Sequence, residues 1–136
     1  MKKVFADTSY WIALLNHRDG LHAKALAIPS KLATVSIVTS EMVLVELLNG
    51  LCDGDPWRRS AAVSAVETIR RTPSILVLPQ TSDQFAIAFD RYKQSADKSW
   101  SLTDCASFQI MENEHITAAL THDHHFVQAG FEALLR

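Results

Sequence analysis

Four carboxylates in this chain, Asp7, Glu46, Asp104 and Asp123, stand where folding should gather them. Asp7 directly follows the apolar run "KKVFA", and Asp123 comes two residues after Thr121, at the end of "HITAALT". Glu46 lies about two turns into a helix that follows a second strand-like run. Asp104 falls in the first turn of a helix after the polar loop Ser95–Ser101. Converging carboxylates repel, and a stable arrangement of them needs cations. Hard oxygen donors without thiolates select Mg2+, with Mn2+ as a substitute, over Zn2+. Ions held in this way keep waters and accept substrate phosphates. They generate hydroxide and clamp the oxygens of an in-line displacement. The chemistry expected is phosphodiester hydrolysis.

Each acid also has a purely structural use. Asp is favoured at helix N-caps, which would account for Asp7. Ser101 and Asp104 have capping-box spacing, with the acid in the favourable first turn. Yet Phe108 and Met111 share the face of Asp104 and read as core, and a carboxylate on an apolar stripe needs a partner. From Glu41 to Leu48 the polar residues are Glu41 and Glu46 alone, which reads as a buried helix. Glu41 sits in the first turn, where the helix dipole favours an anion. Glu46 has no such position, and it points about 140° away from Glu41 by the helix pitch.

The elements that must position these acids alternate. "KKVFA" (Lys2 to Ala6), "ATVSIV" (Ala33 to Val38), "SILVL", "HITAALT" and the weak "FEALL" read as strands. Between them lie the helical stretches "TSYWIALLN", "DGLHAKALAI" closed by Pro29, and "TSEMVLVELLNGL" with Thr39 or Ser40 as N-cap. Further helices run from Pro56 to about Arg71, from Thr81 to about Ser95, over "LTDCASFQIMENE", and over "HHFVQAG" closed by Gly130. This alternation predicts an α/β fold, a mostly parallel sheet of about five strands with helices on both faces. Ligands of such sheets bind outside the carboxyl ends of the strands, so the four acids are expected on one rim.

With 136 residues and no repeat, linker or low-complexity segment, residues 1–136 are expected to form one domain. The net charge of -2 gives no global attraction to nucleic acid, so a polyanion would need a local basic patch. No run is long and apolar enough for a membrane span, and Asp7, Thr8 and Ser9 interrupt any signal-peptide core. The two cysteines, Cys52 and Cys105, have no paired-ligand spacing. The expected location is the cytoplasm.

The stretches "FADTSYWIALLN", "TSEMVLVELLNG", "WSLTDCASF" and "ALTHDHHFVQAGF" occur in the order shown by the PIN-domain nucleases. Within that family the chain resembles the VapC-type toxins of bacterial toxin–antitoxin systems. The resemblance runs from Phe5 to Phe131 and implies a three-layer α/β/α sandwich. It further implies a metal-dependent endoribonuclease acting on single-stranded regions of RNA. Carried over, Asp7 and Asp104 would be the core Mg2+ ligands, and Glu46 and Asp123 would complete the shell directly or through water. Thr8, Thr103 and Thr121 match nearby polar positions. The family also implies a small antitoxin lying across the active-site groove, and a homodimer.

"ALTHDHHF" places His122, His124 and His125 around Asp123; the family often has a basic or small polar residue where His124 stands, and His122 is not a fixed family residue. They read as loop or surface histidines, since neighbouring His124 and His125 do not easily chelate one ion. Candidate basic groups for RNA are Arg58, Arg59, Arg70 and Arg71 on one helix, with Arg18, Arg91, Lys93 and Lys98 elsewhere. Trp57 and Trp100 are candidate stacking faces. The alternative reading of these basic groups is a solvated helix face. A phosphatase of the haloacid-dehalogenase type would want an aspartate where Ser9 stands. A catalytically silent PIN scaffold and a histidine-based metal-binding protein are the remaining alternatives.

Overall fold

The computed structural model describes residues 2–31 and 34–136. The elements, in chain order, are β1 (Lys2–Ala6), α1 (Thr8–Leu15), α2 (His22–Lys31), β2 (Val35–Ser40), α3 (Glu41–Gly50), α4 (Pro56–Arg71), β3 (Ile75–Leu78), α5 (Ser82–Gln94), α6 (Leu102–Asn113), β4 (Ala118–Leu120), α7 (His124–Gln128) and β5 (Glu132–Ala133). The strands form one sheet in the order β3-β2-β1-β4-β5. Every pairing is parallel.

That order has one reversal. The chain steps outward from β1 through β2 to β3, then returns to the other side of β1 for β4 and β5. Right-handed crossovers therefore put α1–α4 over one face and α5–α7 over the other. The contacts agree: α1 packs on α2 and α3, α3 on α4, α5 on α6, and α6 on α7. A crevice opens at the carboxyl ends of β1 and β4, where the strand order reverses. Helix α3 also touches α6, so the two layers meet beside that crevice.

The carboxyl half of β1 and all of β4 are apolar because both of their faces are covered. Val4, Phe5, Ala6, Ala118, Ala119 and Leu120 are all buried. On the α6–α7 side, Phe108 is the hub of an aromatic cluster. Its ring meets Trp100 at 5.0 Å, Phe126 at 4.9 Å and Phe131 at 5.7 Å. Phe108 lies one turn after Asp104 and Phe126 three residues after Asp123, so this cluster holds the two acid-bearing helix starts together.

Several boundaries differ from the sequence expectation. Helix α2 continues through Pro29 to Lys31. A proline in a last turn removes one ladder bond and clashes with the turn before it, and here the helix ends two residues on. Strand β2 begins at Val35 and runs on to Ser40, while Ala33 lies outside the described residues. Strand β4 is only Ala118–Leu120. Ile116 is drawn into the end of α6, its amide donating to the Met111 carbonyl at 2.8 Å after His115 turns the chain at φ 57. Helix α3 is not buried all round, since Val45 is 55% exposed. Ser40, not Thr39, caps it by accepting from the Val43 amide. The Thr39 hydroxyl donates to the Ala6 carbonyl instead, at 2.8 Å.

Candidate active site

Asp7 leaves β1 at the crevice, and its backbone amide still donates to the Leu120 carbonyl of β4. It occupies the N-cap position of α1, but its side chain makes no capping bond. Instead Asp7 Oδ2 accepts from the Thr121 hydroxyl at 2.9 Å. Both residues are buried. Burial pushes the Asp7 carboxyl up to about 7; bonds from Thr121 and the Thr8 amide pull it down, and the Asp104 and Glu46 charges push it further up. Asp7, Glu46 and Asp104 are thus close enough to sense one another.

Glu46 is half-buried on α3 and accepts through Oε1 from the Thr8 hydroxyl. Glu41, five residues earlier, faces elsewhere. Its Oε1 accepts from the Gln80 amide at 2.7 Å and ties α3 to the end of β3.

Asp104 combines both expected uses. It forms the capping box with Ser101: Ser101 Oγ accepts from the Asp104 amide at 3.0 Å, and Asp104 Oδ2 accepts from the Ser101 amide at 3.1 Å. It is also buried, behind the fully buried Phe108 and Met111. Thr103 is half-buried one residue earlier, and among the described residues no hydrogen bond ties it to another acid.

Asp123 caps α7, with Oδ1 accepting from the His125 amide at 2.9 Å. Its own amide donates to Thr121 Oγ1 at 3.1 Å. Thr121 therefore joins Asp123 to Asp7. Each of the four acids accepts a hydrogen bond from a neighbouring residue, which fixes its carboxylate. The donor set, four carboxylates with two of them buried, fits a hard divalent ion.

Two residues that sequence reasoning set aside belong here. Ser9 Oγ lies 3.2 Å from Thr121 Oγ1 and accepts from the His122 amide at 3.4 Å. Its only signal was its place two residues after Asp7. His125 was read as a loop or surface residue. It is half-buried, with Nδ1 3.1 Å from Asp104 Oδ2 and 3.3 Å from Asp123 Oδ1. The signal was its spacing from Asp123, because an aspartate side chain that accepts from the amide two residues on folds that residue back over itself. His122 and His124 are exposed. The rings of His124 and His125 stand 4.5 Å apart.

The basic residues divide. Helix α4 leads directly into the start of β3, so Arg70 and Arg71 at its end lie toward the sheet edge away from the acids. Arg58 and Arg59 are at the other end of α4 and donate to the Gly50 and Cys52 carbonyls. A groove of about 460 Å³ runs there, lined by Ile12, Leu15, Arg18, Gly50, Trp57 and Arg58 among others. Ile12 lies one turn beyond Thr8 and Gly50 one turn beyond Glu46, so the groove continues the line of the Thr8–Glu46 contact. Trp57 is 65% exposed. Trp100 is half-buried, packs one side on Phe108 and donates to Gln128, which ties it to α6 and α7. Arg91, Lys93 and Lys98 are paired with Glu112, Asp90 and Asp97.

Residues 4–132 match the family described as PIN domain. The chain is 33% identical over 131 residues to the 23S rRNA-specific endonuclease VapC20 of Mycobacterium tuberculosis, covering 94% of this chain and 95% of the relative. The crystal structure of M. tuberculosis VapC20, described as a sarcin-ricin loop cleaving toxin, superposes with a TM-score of 0.84 at 30% identity, over 94% of this chain and 95% of that one. Two more distant structures share the fold. VapBC2 from Rickettsia felis, bound to a DNA fragment from its promoter, matches at a TM-score of 0.66 and 13% identity, over 96% of each chain. FitAcB from Neisseria gonorrhoeae matches at 0.64 and 16%, over 96% of this chain and 94% of that one. The chain belongs to the PIN-domain family. Its five-stranded parallel sheet between helical layers is the PIN-like α/β fold.

Proposed function

We propose that this protein is a metal-dependent endoribonuclease and the toxin of a toxin–antitoxin pair, a single PIN-like domain over residues 1–136. The observation that carries this reading is the group Asp7, Glu46 and Asp104 at the strand-order reversal, with Asp7 buried and its carboxyl held near 7. A buried anion among like charges is costly unless a cation completes it. Similarity to VapC20 over nearly the whole chain supports RNA as the substrate.

Asp7, Glu46, Asp104 and Asp123 would hold Mg2+, with Mn2+ able to replace it. When bound, such an ion activates water and neutralises charge on the phosphate. The chain's own groups prepare that chemistry. Thr121 fixes the carboxylate plane of Asp7, and the Ser101 capping box fixes that of Asp104. Thr8 turns Glu46 inward from α3. Thr103, one residue before Asp104, would meet water or phosphate. Arg58 and Arg59, with Trp57, would receive the RNA strand in the groove that leads away from Glu46. Arg70 and Arg71, toward the other edge, are left out of that track.

An antitoxin segment crossing the same groove would block both RNA and metal access. A homodimer is part of the reading, and the exposed Phe85, Phe89 and Tyr92 on α5 offer an apolar face for a second copy. Sedimentation equilibrium would test it. Among the described residues no helix is long and apolar enough to cross a membrane. A cytoplasmic location follows from an RNA substrate.

The direct experiment is cleavage of labelled RNA, including a ribosomal stem-loop, with Mg2+, Mn2+ or EDTA. Asp7→Asn and Asp104→Asn run alongside. Cleavage that needs the ion and both aspartates supports the nuclease. Cleavage that survives either substitution removes this site from the activity. Metal binding without cleavage of any RNA, including whole ribosomes, favours a silent PIN scaffold.

A further inference from the structure

Beyond Asp123 the rim of the crevice carries a basic residue, Arg136. Strand β5 runs parallel to β4, with Ala118 opposite Glu132 and Ala119 opposite Ala133, so both strands leave the sheet on the edge that carries the acids. The Leu135 amide then donates to the Thr121 carbonyl at 3.0 Å, which sets Arg136 beside His122. Arg136 Nη1 donates to the His122 carbonyl at 3.1 Å. The His122 amide donates to Ser9 Oγ at 3.4 Å, so the backbone of one residue links Arg136 to the stretch that carries Asp7.

The backbone of Arg136 is held as well. Lys24 Nζ donates to its carbonyl at 2.9 Å, and Leu135 before it is fully buried. Arg136 itself is exposed, and among the described residues it has no carboxylate partner. That sets it apart from Lys3, Arg91, Lys93 and Lys98, each of which is paired with an acid. A guanidinium presents a planar fork of N–H donors that matches a phosphate, and one carbonyl does not fill it.

We propose that Arg136 binds a backbone phosphate of RNA on the far side of the acids from Arg58, a role that rests on RNA being the substrate of this site. The charge balance calls for such a group. Phosphates that flank the scissile one approach four carboxylates on a chain of net charge -2, and they need cations of their own. Arg58 lies beyond Glu46, on the helices that follow β2, and Arg136 lies beyond Asp123, past the end of β5. In the sheet order β5 is two strands from β1, about 10 Å across, so Arg136 stands clear of Asp7 at the place of a neighbouring nucleotide. Phosphate contacts of this kind fix the register of a strand without reading its sequence, which makes Arg136 a substrate-positioning residue.

The competing account of the same contacts is an arginine that only ties the end of β5 to the His122 turn. Equilibrium binding of a ribosomal stem-loop in EDTA separates the two. The RNA is made as a series, each member carrying one uncharged methylphosphonate at a different position. Arg136→Ala should weaken binding of the unmodified RNA about tenfold. It should lower the dependence of log Kd on log salt by about one unit. The melting temperature should change little, because the bond to His122 is exposed. Arg136→Lys keeps the charge and should recover the salt slope, with only part of the affinity. One methylphosphonate should weaken binding to wild type and have no effect on Arg136→Ala. A second, at a separate position, should behave in the same way with Arg58→Ala. The proposal is overturned if both variants lose their response to the same methylphosphonate. It is equally overturned if Arg136→Ala lowers the melting temperature and leaves both Kd and the salt slope unchanged, since the residue is then a tie. Cleavage in Mg2+ is scored separately. RNA held through Arg136 but never cut would keep this contact and remove the nuclease reading, cleavage with no change in KM for Arg136→Ala would do the reverse, and no binding of RNA at all would remove both.

Discussion

The Thr121 hydroxyl donates to Asp7 Oδ2 at 2.9 Å across the seam between β1 and β4, although the two residues are 114 positions apart in sequence. The register explains the meeting. Ala6 pairs with Leu120, so the next residue of each strand emerges at the same level. The same oxygen of Thr121 accepts from the Asp123 amide, which makes this buried hydroxyl the joint between two acids.

Thr121→Val keeps the shape and deletes the joint. It leaves Asp7 Oδ2 and the Asp123 amide without their partner in a buried place. The expected cost is about 1–3 kcal/mol of stability, read from urea denaturation. Without the bond that lowers it, the Asp7 carboxyl should titrate higher still, and Mg2+ affinity should fall. Thr121→Ser should restore most of both. Equal behaviour of the Val and Ser variants would mean that the hydroxyl does not hold the acid.

Asp7→Asn should abolish cleavage yet stabilise the metal-free protein at high pH. The sign follows from a carboxyl raised from 3.8 to about 7. Between those values the folded state holds a proton that the unfolded chain has lost. Stability therefore falls as pH rises through the window, and the full cost remains above it. A shift of this size corresponds to a few kcal/mol, less whatever the Thr121 bond loses in the variant. In EDTA, the Asn variant should gain on wild type from pH 5 to pH 8. A constant difference between the two pH values would show that Asp7 is not the group responsible.

Mg2+ should protect the fold in the same direction. At pH 8 Asp7 is ionised and binding costs no proton. At pH 5 the ion must displace one. The rise in melting temperature on adding Mg2+ is expected to be larger at pH 8, and absent in the Asp7→Asn variant. An equal rise at both pH values would place the ion away from Asp7.

Much of this site was legible because strands end where apolar runs end. "KKVFA" stops at Asp7 and "HITAALT" at Thr121, and in a parallel sheet both must emerge on one edge. The capping-box spacing of Ser101 and Asp104 was equally local. What the sequence did not show was set by tertiary contact. The clamp on His125 depends on Phe108 and Phe126 packing α7 against α6, and no spacing along the chain encodes that. "WRRS" and "IRR" share one helix, but a helix of 16 residues is about 24 Å long, and its ends serve different edges of the sheet. Trp57 and Trp100 look alike in sequence. Only the packing of Trp100 on Phe108 and its bond to Gln128 separate them.

Arg58 gives the test of the RNA track. It lines the groove that continues from Thr8 and Glu46, beside the exposed Trp57. Its guanidinium donates to the Gly50 carbonyl in a bond that is 3.4 Å long and exposed, which a phosphate can displace. Arg58→Ala should weaken RNA binding and raise KM while leaving kcat nearly unchanged, because the residue stands off from the acids. A lost phosphate contact should also lower the dependence of log Kd on log salt by about one unit. Arg70→Ala with Arg71→Ala, toward the opposite edge, should change neither quantity. If the Arg70 and Arg71 changes weaken binding and Arg58→Ala does not, the strand crosses a different face and the groove belongs to another partner.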